Sequence, residues 1–588
     1  MELSNESGDL PAGLKFCRQV LHPLLVVAAL VCLLAWVGWT GVVETWQHWL
    51  TVAIGLAFAA ERTWIFRVME PRGRERMRLW IHLILALLVA GVAFTLIFQH
   101  RTGDGAWPIG WHVFIQLSVL ISGLASMIHH QGRFTARALN PGWLLMGSFF
   151  VAIVAGTLLL KMPRSVVEGE YLSWLDAAFT STSAVCVTGL VVENTATFFS
   201  PTGQIIILLL IQIGGLGIMT LTFFAAVVLF EGLSLHDRLL LGKMIQENRL
   251  SRINKTLGFI VVMTLVCEGI GAYVLFHGMD GSIAFGERLF QSVFHAVSAF
   301  CNAGFSTLPD GMACAVVQGN LTWQLCVMVL VVIGGLGALV VEDLSHWAFA
   351  KFRKLFRKEM QRPRLRVHTR LVLVVTTCLV LGGALIIYST EFLFSDGPEN
   401  GGSVITALFH SITARTAGFN TVPMDGIAPL TVQVLMILMI IGGSPGGTAG
   451  GLRTTVVAVG LGHLWIQLRE GKRGMVAFNR TIPAETGARA LGLIVLAGIW
   501  LGGNFMILQF IETGSGLSET RLLFELISSF ATVGLSLDVT AGLSEAGKAL
   551  IILNMFVGRI GLLVVLAALL PRDMRPASGK PQEDILLT

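Results

Sequence analysis

The chain has 588 residues, 54% of them hydrophobic and only 13% charged, with a mean hydropathy of +0.75 and a formal charge of +5. Soluble domains carry about a quarter charged residues, so a water-soluble fold of this composition would expose far too much apolar surface. The balance excludes an ordinary soluble globule, gives no sign of a nucleic-acid partner, and predicts an all-α integral membrane protein. Eight scattered cysteines form no CxxC pair or metal-ligand spacing and read as small buried apolar residues. The polar start, Met1 to Phe16, precedes an apolar stretch that runs on into further spans, unlike a cleaved signal peptide.

A membrane helix needs ~20 mostly apolar residues to cross a ~30 Å hydrocarbon core. Four such stretches come first, near 22–40, 50–67, 79–98 and 110–128. Arg72, Arg74, Arg76 and Arg78 crowd one link, and Arg133 and Arg137 follow the fourth stretch. Arginine-rich loops stay cytoplasmic, which starts the chain inside and returns it inside near Asn140.

From there one plan recurs four times: a spanning helix, a short apolar segment ending in a glycine motif, and a second spanning helix. The outer pairs lie near 142–161 and 203–230, 256–278 and 321–342, 370–390 and a broken stretch at 429–468, and 487–512 and 546–570. The short segments, 174–186, 287–301, 403–415 and 521–531, cannot span. They suit re-entrant half-helices, allowed at membrane depth where protein or water surrounds them. Twelve spanning helices result. The motif glycines are Gly189, Gly304, Gly418 and Gly534, at spacings of 115, 114 and 116 residues (304−189, 418−304, 534−418). A near-constant period is the mark of an internal repeat.

Charge follows the same alternation. Linkers rich in Arg and Lys (Arg238 to Lys255, Lys351 to Arg366, Arg469 to Arg480) are expected inside, mostly as solvated topogenic loops. The glycine-bearing sides are acid-rich, among them Glu168, Asp176, Asp280, Asp310, Glu391, Asp425, Glu525 and Asp538. Both termini are therefore expected in the cytoplasm, with the glycine motifs entered from outside.

Stripping water from a cation in a low-dielectric setting is costly, and inward carbonyl dipoles offset that cost without a fixed charge that would trap the ion. Glycine reaches the required dihedrals without a Cβ penalty. Thr532-Val533-Gly534 is similar to a potassium-channel filter, and the other versions are Val187-Thr188-Gly189, Asn302-Ala303-Gly304 and Thr416-Ala417-Gly418. Four loops of one chain would surround one ion, with the residues before each glycine supplying the carbonyls. Singly, each glycine fits close helix packing equally well. The negative pole of each half-helix would favour a cation below the filter. His295, His410 and Glu525 are expected to anchor their segments, and Arg415 to have a carboxylate partner.

In the second helices Ile213-Gly214-Gly215-Leu216-Gly217 recurs as Ile333-Gly334-Gly335-Leu336-Gly337, and the fourth repeat has Val557-Gly558-Arg559-Ile560-Gly561. The third has a run holding Gly442, Gly443, Pro445, Gly446, Gly447, Gly450 and Gly451, too rich in glycine for a continuous helix. It reads as an intramembrane loop beneath the filter, either a gate or a plain hinge. Arg559 lies in an otherwise apolar span, where a cation is costly and a role is expected: a barrier to cations, or a structural ion pair or carbonyl cap.

With Ala414 to Asn420 and Ser298 to Phe305, these motifs make residues 141–570 resemble the Trk/Ktr/HKT superfamily of potassium transporters. The resemblance implies four helix–pore-loop–helix units around one pore: repeats at 141–240, 241–355, 356–470 and 471–570. An N-terminal extension of four spans (1–140) and a cytoplasmic tail (571–588) flank them. It further implies potassium uptake across a bacterial inner membrane, K+ as cargo with no prosthetic group, homodimers, and a cytoplasmic RCK-type nucleotide-binding regulatory subunit. The 442–451 loop and Arg559 match the family's gating elements. A glycine in every loop resembles potassium-selective members; serine in the first would suggest sodium. The four extra spans depart from the family's shorter forms. The alternative reading is a sodium-permeable or cation-coupled secondary transporter built on broken helices and inverted halves, against which the fourfold parallel repeat stands. A voltage sensor lacks its arginines in the fourth span, and no HExxH, GxSxG or compact Asp/His cluster supports a membrane enzyme.

Overall fold

The computed structural model describes residues 21–35, 38, 45–68, 84–93, 95–96, 111–120, 141–229, 253–356, 364–394, 403–470 and 475–569. The Arg72–Arg78 link, the first basic linker up to Arg252 and the tail lie outside the described residues.

Helices α1 (His22–Ala35) and α2 (Thr45–Val68) fall on the first two expected spans, and Ile84–Ala93 and Trp111–Leu120 on the next two. Cys32, Phe58, Val89 and Ile115 meet in their common apolar core. Buried polar groups there pair with one another, as groups out of water must: His48 Nδ1 lies 3.0 Å from His112 Nε2, and Gln116 Nε2 donates to Thr51 Oγ1 at 3.1 Å.

The first repeat contains α3 (Pro141–Leu160), α4 (Trp174–Val185) and α5 (Pro201–Leu229). The second contains α6 (Ile253–Gly278), α7 (Phe285–Cys301), α8 (Leu321–Leu336) and α9 (Ala338–Phe356). The third contains α10 (Val367–Phe394), α11 (Val404–Thr413), α12 (Pro429–Ile440) and α13 (Thr454–Glu470). The fourth contains α14 (Ala484–Ile511), α15 (Glu519–Ala531), α16 (Glu545–Ile560) and α17 (Leu562–Leu569). The four short helices stand where the apolar runs predict them. At 12, 17, 10 and 13 residues they reach about 15–26 Å, less than a hydrocarbon core. Ser173 and Ser403 cap two of them, each hydroxyl accepting a backbone N–H at 3.0 Å.

Each short helix packs on the first helix of its own repeat and on the second helix of a neighbouring repeat. The pairs are α4 with α16, α7 with α5, α11 with α8, and α15 with α12. That chain of contacts closes on itself, so the short helices form an inner ring and the long helices an outer one. The outer helices expose the apolar side chains a lipid-facing surface needs, such as Ile270, Leu385 and Phe510.

The second helices differ from the expected unbroken spans. Among the described residues, three helices are long and apolar enough to cross a membrane alone (Gly258–Gly278, Val367–Glu391, Ala484–Ile511). Leu321–Leu336 with Ala338–Arg353 qualifies as a pair bent by 102°. The cause is the last glycine of each motif: Gly217, Gly337 and Gly561 adopt φ of +71°, +84° and +91°, which ends an α-helix. All four second helices are thus interrupted, three by one glycine and the third by the 441–453 loop. The basic linker after α13 also holds a small antiparallel hairpin, β1 (Met475–Ala477) and β2 (Arg480–Ile482). Its turn residues Phe478 and Asn479 both have positive φ.

Candidate functional site

At the inner end of each short helix the backbone makes the same move. Val187, Asn302, Thr416 and Thr532 are left-handed, and the glycine two residues on has positive φ: Gly189 +93°, Gly304 +72°, Gly418 +76° and Gly534 +95°. Left-handed backbone strains a β-branched residue, so Val187, Thr416 and Thr532 at one repeat position mark a geometry imposed by the surroundings, while Asn302 tolerates it more readily.

Those surroundings are the other loops. A Cβ on Gly189 would strike the carbonyl oxygen of Ala303, and one on Gly304 would lie 2.8 Å from that of Ala417. A Cβ on Gly418 would strike the Val533 carbonyl, and one on Gly534 the Thr188 carbonyl. Neighbouring glycine Cα atoms stand 3.0–3.4 Å from these built positions. The four loops form one closed cycle, repeat one to two to three to four to one. The four glycines come together, and the Thr188, Ala303, Ala417 and Val533 carbonyls each face the preceding loop's glycine.

A serine six residues before the glycine holds three of the loops. The Ser183, Ser298 and Ser528 carbonyls accept from Thr188, Ala303 and Val533 N–H at 2.8, 2.7 and 2.9 Å. The Ser183 and Ser528 hydroxyls accept from the glycine N–H at 3.0 and 3.1 Å, and the Ser298 hydroxyl donates to the Phe305 carbonyl at 2.7 Å. In the third loop the corresponding residue is Thr413, only five before its glycine. Its carbonyl takes both Ala417 N–H (2.9 Å) and Gly418 N–H (3.3 Å), and its hydroxyl is buried without a partner. These serines escaped the sequence reading, although their recurrence at one spacing was there to see.

His295 and Glu525 anchor their segments as expected. His295 Nε2 lies 2.8 Å from Ser306 Oγ; Glu525 accepts from Ser536 Oγ at 2.8 Å and from Thr540 Oγ1. His410 Nε2 is buried without a hydrogen bond. Arg415 does not have the expected carboxylate. Among the described residues its guanidinium reaches the Gly442 carbonyl at 3.4 Å, because the broken third repeat places loop carbonyls there.

The 442–451 loop is woven into the break of α8. Ser444 N–H and Thr448 N–H donate to the Gly335 and Gly334 carbonyls at 3.0 and 3.3 Å, and Ala338 N–H donates to the Gly446 carbonyl at 3.1 Å. A Cβ on Gly450 would strike Thr532, and one on Gly451 would lie 3.0 Å from Ala531 Cα, so the loop lies directly against the fourth glycine-bearing loop. Arg559 is buried and donates to the Thr448 carbonyl and, at 2.6 Å, to the Gly214 carbonyl. It caps carbonyls of the loop and of the first interrupted helix. With Gly217, Phe300, Gly334, Thr448 and Arg453 it lines a cavity of about 60 Å³, room for a water molecule or two.

Comparison with known proteins matches this architecture. The profile of the TrkH family, described as a cation transport protein, matches residues 112–576. The chain is 35% identical to the Ktr system potassium uptake protein B of Vibrio alginolyticus over 452 residues, 76% of this chain and 94% of that protein. It is 33% identical to the potassium/sodium uptake protein NtpJ of Enterococcus hirae over 466 residues, 77% of this chain and 98% of that one. Among solved structures, the potassium transporter TrkH from Vibrio parahaemolyticus has the same fold, with a TM-score of 0.58 at 19% identity, covering 84% of this chain and 98% of that one. The chain belongs to the TrkH family of cation transport proteins, membrane ion transporters and not enzymes.

Proposed function

We propose that the protein takes up potassium through the ring of Val187, Thr188, Gly189, Asn302, Ala303, Gly304, Thr416, Ala417, Gly418, Thr532, Val533 and Gly534. The observation that carries this reading is the closed cycle in which each glycine leaves room only for the neighbouring loop's carbonyl. A desolvated cation on the axis exchanges water oxygens for carbonyl oxygens, which bear no net charge and so release it again. The C-terminal ends of α4, α7, α11 and α15 add the negative poles of four short dipoles.

Gly442, Gly443, Gly446, Gly447, Gly450 and Gly451 form the gate, held shut by hydrogen bonds to the α8 break and by Arg559, whose charge opposes a cation in the cavity. Opening exchanges loop–helix hydrogen bonds for water and withdraws the guanidinium from the path. The protein sits in the bacterial inner membrane with both termini cytoplasmic, works as a homodimer, and takes regulation from a separate RCK-type nucleotide-binding subunit. The names of the Ktr and Trk relatives support potassium as cargo. The potassium/sodium name of another relative keeps sodium as the competing ion.

Rubidium uptake into vesicles holding the purified chain, with potassium, sodium and lithium as competitors, tests the proposal. Potassium competing far better than sodium is expected. Equal competition, or uptake that requires a sodium or proton gradient, would favour the sodium-permeable or coupled alternative.

A further inference from the structure

We infer that the exposed face of α9 is a docking site for anionic phospholipid headgroups of the inner leaflet. Helix α8 has 16 residues and covers about 24 Å of a ~30 Å core, so a crossing that starts outside ends near the inner boundary. Helix α9 leaves it at 102°, and a helix at a right angle to a spanning one lies along the membrane surface.

The side chains of α9 suit that plane. Phe349 and Phe352 are 62% and 61% exposed one turn apart, a coverage water would penalise and an acyl boundary would not. Lys351 Nζ lies 4.9 Å from the centre of the Trp347 ring, and the Arg353 guanidinium 5.9 Å from that of Phe349, so cations flank the apolar stripe. The two acids of this helix each face a partner. Asp343 accepts from Arg366 N–H at 3.0 Å and Thr369 Oγ1 at 2.7 Å, fixing α9 to the start of α10, and Glu342 faces His346 at 3.8 Å. From Lys351 to Arg366 the chain carries eight basic residues and one acid. An amphipathic helix with aromatic residues in its exposed face and an excess of cations is complementary to a negatively charged leaflet.

The test uses the full chain, with Cys17 and Cys378 replaced by Ser and a bimane label on Ala348→Cys. It is reconstituted in phosphatidylcholine vesicles containing about 30% phosphatidylglycerol, which gives the surface a negative potential. Either lipid is acyl-brominated in turn at equal mole fraction. Quenching by brominated phosphatidylglycerol about twofold or more above that by brominated phosphatidylcholine is expected. The Lys351→Gln/Arg353→Gln variant should lose the preference, and Phe349→Ser/Phe352→Ser should weaken quenching by both lipids. Equal quenching would reduce the face to ordinary lipid contact, and no quenching by either would assign it to water or a protein partner; each overturns the inference. Neither readout depends on transport, so the result stands apart from the fate of the potassium proposal.

Discussion

Replacing Gly189 with Ser tests the ring at a contact that leaves no room for a side chain. The new Cβ would occupy the place of the Ala303 carbonyl oxygen, with Gly304 Cα at 3.0 Å and the Ala303 carbonyl carbon at 3.3 Å. These are backbone atoms of another loop, so they cannot swing aside as the end of a flexible side chain does. Gly189 also sits at φ +93°, where strained backbone costs a non-glycine residue about 1–3 kcal/mol. Relief requires the first two loops to separate or the peptide after Thr188 to rotate, and either takes the Thr188 and Ala303 carbonyls off the axis. If that energy is drawn from the preference for potassium over sodium, the preference falls about 5- to 150-fold, tenfold for each 1.4 kcal/mol. The assay is sodium competition against rubidium uptake in vesicles, on a variant whose melting midpoint shows it folded. An unchanged competition ratio would refute the reasoning.

Arg559→Ala removes the cation and frees the Thr448 and Gly214 carbonyls; rubidium uptake should rise about tenfold, equivalent to ~1.4 kcal/mol of barrier, and slower uptake by a folded variant would contradict a barrier role. Lys548 and Asp176 form a 2.8 Å ion pair between the fourth and first repeats, with side chains only 13% and 16% exposed. A double-mutant cycle with Lys548→Gln and Asp176→Asn should give a coupling of about 1–2 kcal/mol in thermal unfolding, and additive effects would show the pair to be idle. Glu525→Ala strips the acceptor from the Ser536 and Thr540 hydroxyls, at about 1–3 kcal/mol each; the melting midpoint should drop by several degrees, with Glu525→Gln between, and an unshifted midpoint would remove Glu525 from the anchoring role.

The short helices and their glycines were legible because two independent signals agreed: apolar runs too short to span, and a period near 115 residues. The interruptions of the second helices at Gly217, Gly337 and Gly561 were not. One glycine in an apolar helix costs only about 1 kcal/mol relative to Ala and does not break it. At Gly337 the break is secured from outside, where Gly446 and Gly447 leave no room for a Cβ. The signal was the last glycine standing at one place in three motifs. The Arg415 partner was misjudged because a buried guanidinium suggests a carboxylate, whereas an interrupted helix leaves carbonyls free to accept. The spacing of 114 carried more than it seemed: it is the one-residue shortening that puts Thr413 five residues from its glycine and leaves its hydroxyl unpaired.

The most direct measurement is the position of a heavy potassium analogue in the structure of the protein purified in rubidium or thallium. An anomalous peak on the axis, ringed by the Thr188, Ala303, Ala417 and Val533 carbonyls, is the predicted result. A peak away from the four loops, or one held by side-chain carboxylates elsewhere in the membrane, would contradict the account.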